Sequence, residues 1–189
     1  MEINSLIRVK TRHELREWLK ENSNTERFCF VIVSMNAQSE NIQYIDTVEE
    51  ALCFGWIDGI KKKLSDTELA QRLSPRNKKS NWTELNKERV RRLMKLGLMK
   101  EEGLRILPDM LPESFTIDKD IETRLKVDDQ LYQNFINFPE LYRRIRIDTI
   151  QSYRNEPDLY NKRLDKFIKN TRENKMYGHW NDNGRLINY

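Results

Sequence analysis

Gly55-Trp56-Ile57-Asp58-Gly59-Ile60-Lys61-Lys62-Lys63-Leu64-Ser65-Asp66-Thr67-Glu68-Leu69-Ala70-Gln71-Arg72-Leu73-Ser74 is the stretch that decides the fold class. Ile60 and Leu64 fall on one strand face with Lys62 between them, and Leu69 and Leu73 share a face across the polar turn Ser65-Asp66-Thr67. Residues 57–64 and 68–74 are therefore expected to pair as an antiparallel hairpin. The competing reading is that Asp66 to Leu73 opens a helix. Phe28-Cys29-Phe30-Val31-Ile32-Val33-Ser34 is aromatic and β-branched and too short for a typical helix, so it reads as a buried strand. Together these predict an α+β protein: a small antiparallel sheet with helices in the N-terminal part, followed by a helical C-terminal subdomain.

Outward from the hairpin, helix signals recur. Thr11-Arg12-His13-Glu14 has the form of a capping box, and Leu15, Trp18 and Leu19 then share one helical face. Asp46 to Phe54 reads as the next helix, capped by Asp46 or Thr47, with Gly55 suited to end it. Pro75 to Ser80 is a basic connector. Asn81-Trp82-Thr83-Glu84 caps a basic helix running to about Leu96, with Gly97 as its stop. Leu98 to Leu107 gives one more short helix before Pro108. Further on, Asp129 to Phe138 is a short helix, and two longer ones begin near Pro139 and Pro157. Proline is suited to a first turn because its missing amide has no intrahelical partner there. The expected organisation is an α+β part over 1–107, an acidic, proline-containing linker over 108–127, a helical subdomain over 128–177 and a polar tail over 178–189.

The chain has 189 residues, of which 38% are hydrophobic and 34% charged, with four Trp, seven Tyr and seven Phe. Those aromatics supply a core that a disordered chain would lack. The longest apolar run, Phe28 to Val33, is far short of the roughly 20 residues that span a bilayer. Met1-Glu2-Ile3-Asn4-Ser5 shows no secretory pattern, which points to the cytoplasm. Cys29 and Cys53 each lie in an apolar stretch and are expected as buried free thiols. With His13 and His179 they are scattered, so neither a metal site nor a cofactor is expected. The net charge of +4 is unevenly placed. Residues 1–59 carry −4, residues 60–105 carry +8, and residues 106–189 carry fourteen charges of each sign. The excess in the middle can attract an anionic partner.

The run Glu49-Glu50-Ala51-Leu52-Cys53-Phe54-Gly55-Trp56-Ile57-Asp58-Gly59 resembles the signature of the YdeI/OmpD-associated, bacteriocin-protection family. Pro75-Arg76, Ser80-Asn81-Trp82-Thr83, Asn86-Lys87, Gly97-Leu98-Met99 and Gly103 continue the pattern. The resemblance is tight over 44–105 and looser over 139–175, where Thr171-Arg172 sits in a basic helical stretch. Arg105-Ile106-Leu107-Pro108 departs from the family's usual small residues. The resemblance implies stress or envelope biology and names no reaction.

Gly55, Trp56, Asp58, Gly59, Trp82 and Asn86 form its structural signature here. Asp58, beside Trp56, is the one candidate for acid–base chemistry, weighed against a role in fixing a helix-to-strand crossing. Arg76, Lys78, Lys79 and Ser80 lead into a helix N-terminus and are the candidate anion site, weighed against a solvated connector. Lys61 and Lys63 share a strand face, more often a guard on a sheet edge than a ligand site. No nucleophile elbow, phosphate loop or His-Glu-x-x-His motif is present. The reading favours a non-catalytic binding or stress-protection protein with a basic surface for an unknown anionic ligand or protein partner. The alternatives are a small enzyme using Asp58 with Arg76 or Lys79, and a nucleic-acid-binding module.

Overall fold

The computed structural model describes residues 5–34 and 40–189, so the reading of the first four residues lies outside it. The chain forms two compact units. The first comprises Met1–Asn81 and Arg89–Pro108, the second Trp82–Glu88 and Asp109–Tyr189.

The first unit contains β1 (Leu6–Ile7), α1 (Arg12–Asn22), β2 (Cys29–Val33), α2 (Tyr44–Cys53), β3 (Trp56–Lys63) and β4 (Leu69–Pro75). It also holds most of α3 (Glu84–Lys95), and α4 (Glu101–Leu104). The four strands lie in the order β1-β2-β4-β3. β2, β4 and β3 are antiparallel neighbours, as the hairpin pattern predicts, while the two-residue β1 joins β2 in parallel and makes the sheet mixed. Every residue of β2 is buried. Its alternate residues Phe30 and Ile32 cluster with Ala70, and Leu6, Phe28 and Leu64 pack around them. Cys29, Val31 and Val33 point to the opposite face. There Trp56 is buried and donates its indole N–H to the Ser23 carbonyl at 3.1 Å. The Thr11 hydroxyl caps α1 by accepting from the Glu14 amide. Gly55 ends α2 at φ +73, where an added Cβ would lie 2.9 Å from the Glu102 carbonyl oxygen.

One irregularity resets β3. Asp58 is opposite Leu73 and Lys61 opposite Gln71, so Gly59 and Ile60 together face Arg72 in a β-bulge. The fully buried Gln71 side chain donates to the Gly59 carbonyl at 2.8 Å and satisfies the group the bulge leaves over. The extra residue turns Asp58 and Lys61 to the same face. Ile60 is 60% exposed, whereas Leu64 packs against the Phe30 cluster.

The second unit is helical: the first turn of α3, a 3-10 turn at Pro112–Ser114, α5 (Lys119–Leu125), α6 (Asp129–Asn137), α7 (Glu140–Gln151) and α8 (Pro157–Arg172). Pro157 opens α8. Phe135, Phe138, Tyr142, Ile145, Leu164 and Phe167 share its core with Trp180 of the C-terminal segment. Residues 108–127 contribute to that core through Ile121 and Leu125 of α5, both buried. Among the described residues no helix is long and apolar enough to cross a membrane.

Charge pairing organises the first unit. Glu49 and Glu50, consecutive on α2, are 0% and 2% exposed. Arg12 of α1 reaches Glu49 at 2.7 Å and Glu50 at 2.7 Å. Arg16 reaches the other oxygen of Glu50 at 2.7 Å, and Arg92 of α3 reaches the other oxygen of Glu49 at 2.9 Å. Arg16 also donates to the Leu98 carbonyl. Burying a carboxylate is tolerable only when cations and donors replace its water. Here three guanidiniums do so and fasten α1, α2 and α3 together. Glu50→Ala, which strands Arg12 and Arg16 without their shared carboxylate, is expected to cost on the order of 3 kcal/mol in urea unfolding. A loss below about 1 kcal/mol would show that the network contributes little beyond solvated pairing.

Candidate functional site

Asp58 is half-buried on β3, and its Oδ2 accepts from the Tyr44 hydroxyl of α2 at 2.6 Å. Lys61, brought to the same face by the bulge, places its Nζ 3.7 Å from the centre of the Tyr44 ring. Arg76 is 6% exposed, and burial lowers its pKa while the charge of Asp58 opposes that shift. Its guanidinium donates to the Asn81 carbonyl, and its backbone N–H to the Gly55 carbonyl at 2.9 Å. The structure thus brings Asp58, Tyr44, Lys61 and Arg76 into one charged neighbourhood behind the hairpin.

Lys78, Lys79 and Ser80 have different surroundings. Both lysine side chains are exposed on a turn closed by Asn77, whose side chain accepts from the Lys79 amide at 2.9 Å. The Ser80 hydroxyl donates to the Asn77 carbonyl at 2.7 Å. Arg76 is turned inward and the two lysines outward, so these residues do not form one basic cradle.

The helix N-terminus expected to attract an anion already holds one. The Glu84 amide donates to Asp148 Oδ2 at 3.0 Å, and the Asn86 amide to the Thr83 hydroxyl at 3.2 Å. Asp148, from α7 of the same unit, replaces the external ligand that the sequence pattern suggested, because a carboxylate near the first-turn amides satisfies both their hydrogen bonds and their partial positive charge. Trp82, just ahead of this turn, is half-buried.

A second basic site was not foreseen. Between α7, α8 and the segment after α8 lies a cleft of about 410 Å³, lined by Arg146, Lys162, Arg163, Lys166, Ile150 and Leu159, with Thr149, Tyr177 and Gly178 completing it. On α8, Leu159, Lys162, Arg163 and Lys166 are spaced i, i+3, i+4 and i+7, which puts them on one face. On α7, Arg146, Thr149 and Ile150 repeat the spacing. No Asp or Glu lines the cleft. Among the described residues none of the four cations is ion-paired, and Arg146 Nε and Arg163 Nε are buried without a hydrogen-bond partner. Arg146 and Lys166 lie over the Tyr177 ring at 5.2 and 5.0 Å, and Arg163 over Tyr153 at 4.2 Å. Burial raises the Tyr177 phenol pKa, and the charges of Arg146 and Arg163 oppose that rise. Four cations are therefore held together on ring faces and helix positions, and among the described residues no acid lines the cleft beside them. The overlooked signal was a helical stripe carrying cations where an apolar face is usual.

The remaining candidate groups are poorly placed for chemistry. Burial pushes the Cys29 thiol up to about 12 and the Cys53 thiol up to about 11, which keeps both protonated and unreactive. His13 and His179 are exposed.

Two family models match the chain. A domain of unknown function (DUF8412) matches residues 7–106, more than half of the chain. A model described as bacteriocin-protection, YdeI or OmpD-associated matches residues 114–174. The second match falls on the more loosely resembling part and takes in α5, α6, α7 and α8, while the motif-bearing stretch 44–105 lies within the first. Neither the curated proteins nor the solved structures contain a match to this chain.

Asp148 gives a test of the internal cap. Burial holds its carboxyl above the ordinary value of 3.8. A folded-state pKa above the unfolded one means that the folded chain binds the proton more tightly, so the group's contribution to stability falls as pH rises from the ordinary aspartate range through the raised value. Asp148→Asn keeps an acceptor for the Glu84 amide but cannot ionise. Its stability relative to wild type is expected to improve as pH rises from about 3.5 to about 7, measured by urea unfolding at each pH. A gap that is flat, or that moves toward wild type, contradicts the assignment.

Proposed function

We propose that this chain, which belongs to the DUF8412 family over residues 7–106 and to the bacteriocin-protection, YdeI or OmpD-associated family over residues 114–174, binds anions through the cleft of its second unit and carries out no reaction of its own. The observation that carries this reading is the set Arg146, Lys162, Arg163 and Lys166, gathered around one concavity with no carboxylate in its lining among the described residues. Elsewhere in the same unit a buried guanidinium is matched: Arg144 meets Glu88 at 2.9 Å and Glu84 at 3.8 Å. Like charges held close repel unless an anion lies between them, so a polyanion entering the cleft gains the Coulomb energy that the chain leaves unused. Asp58, held by the Tyr44 hydroxyl, and the protonated thiols of Cys29 and Cys53 favour binding over turnover. We extend to this chain the protective role in the family's description, exercised by binding.

Calorimetric titration with inorganic tripolyphosphate tests the reading. One site per chain is expected, with affinity falling as salt rises from about 50 to about 300 mM because the interaction is screened. Arg163→Ala is expected to weaken it by about tenfold, the scale of one lost charge-assisted contact of about 1.5 kcal/mol. An unchanged affinity in that variant, or no binding at low salt, contradicts the reading.

A further inference from the structure

We infer that the cleft is a site for a small organic phosphate: a phosphate monoester whose phosphoryl group lies among Arg146, Lys162, Arg163 and Lys166 and whose apolar body rests on Leu159 and Ile150. The inference rests on the anion-binding reading and goes further by stating what kind of anion fits.

The charge of the site sets the first requirement. A singly charged carboxylate would leave most of the positive charge of four cations uncompensated. A phosphate monoester brings about −1.5 to −2 at neutral pH and three strong acceptor oxygens. Two guanidiniums, one on each helix, present planar forks that match phosphoryl oxygens, and their buried Nε groups lack partners among the described residues.

Donor and acceptor chemistry sets the second. The Thr149 hydroxyl already donates to the Ile145 carbonyl at 2.7 Å, and no carboxylate or carboxamide side chain lines the cleft. The side-chain lining is rich in donors and poor in acceptors. A peptide segment or a polyol would bring N–H or O–H groups with few acceptors to receive them, whereas phosphoryl oxygens only accept.

Size sets the third. A cleft of about 410 Å³ has room for more than one inorganic phosphate. Leu159 and Ile150 provide an apolar surface for the rest of the ligand. The volume is at the low end of the roughly 300–1,000 Å³ typical of small-ligand sites, and is small for a nucleic-acid strand covering about 4–16 nucleotides.

Gly178 adds a positioning element. It has φ +77, and a Cβ there would lie 2.7 Å from Arg146 Nη1 and 3.2 Å from its Cζ. The bare backbone lets the guanidinium pack against the chain, so Gly178→Ala would displace Arg146 without removing a charge.

The test titrates the full chain by calorimetry with phenyl phosphate, inorganic phosphate, phenol, inorganic tripolyphosphate and a ten-nucleotide oligothymidylate, at one pH and ionic strength. Phenyl phosphate is expected to bind at least about tenfold tighter than inorganic phosphate, with phenol not binding. Leu159→Ala should narrow that ratio while leaving tripolyphosphate affinity unchanged. Gly178→Ala should weaken both phosphates, with thermal unfolding measured alongside to confirm that the variant is folded. Tripolyphosphate binding without a preference for phenyl phosphate over inorganic phosphate overturns this inference and leaves the anion-binding reading standing. If no anion binds, both fail. An oligothymidylate that outcompetes phenyl phosphate, with a steeper salt dependence, overturns the small-ligand assignment in favour of nucleic acid.

Discussion

A carboxylate taken out of water must be met by cations and donors, and Glu49 and Glu50 show how much of the first unit is arranged by that requirement. Two adjacent buried acids on α2 draw Arg12 and Arg16 from α1 and Arg92 from α3, and all four carboxylate oxygens are engaged. The geometry leaves these helices little freedom to slide, since a shift that broke one contact would strand a buried charge. Trp56, at the start of the hairpin, is anchored to the Ser23 carbonyl.

The same requirement gives the cleft of the second unit its meaning. Where charges are structural, the chain matches them internally: Arg144 with Glu88, or Asp148 with the amide of Glu84. In the cleft it gathers four cations, rests three of them on Tyr177 and Tyr153, and among the described residues places no acid in the lining. Holding like charges together opposes folding, and a protein that tolerates such an arrangement gains that energy back when an anion arrives. That contrast between matched and unmatched charge is what the proposed anion binding rests on, and it sets the cleft apart from the exposed Lys78 and Lys79.

Much of the architecture was legible in the residues. Alternation located the hairpin, the Thr11 box and Pro157 marked helix starts, and Gly55 marked a helix end. The bulge was not legible, because alternation cannot tell which two residues of β3 will share one partner on β4. That hid the meeting of Asp58 and Lys61 at Tyr44. α5 was hidden by the surrounding prolines and acids, although Ile121 and Leu125, four residues apart, are its buried stripe. The cleft escaped notice because Arg146, Lys162, Arg163 and Lys166 fall in a segment whose cations and anions balance in number. Net charge along a chain says nothing about its sorting in space; only the helical spacing of Leu159, Lys162, Arg163 and Lys166 carried that information.

The most direct test of this account is to locate a bound anion. A crystal of the full chain soaked in tungstate, whose metal scatters anomalously, would show where an anion settles. The strongest peak is expected within ion-pair reach of Arg146 and Arg163 in the cleft. Occupancy confined to other surfaces, such as the turn bearing Lys78 and Lys79, with the cleft free of tungstate, would contradict it.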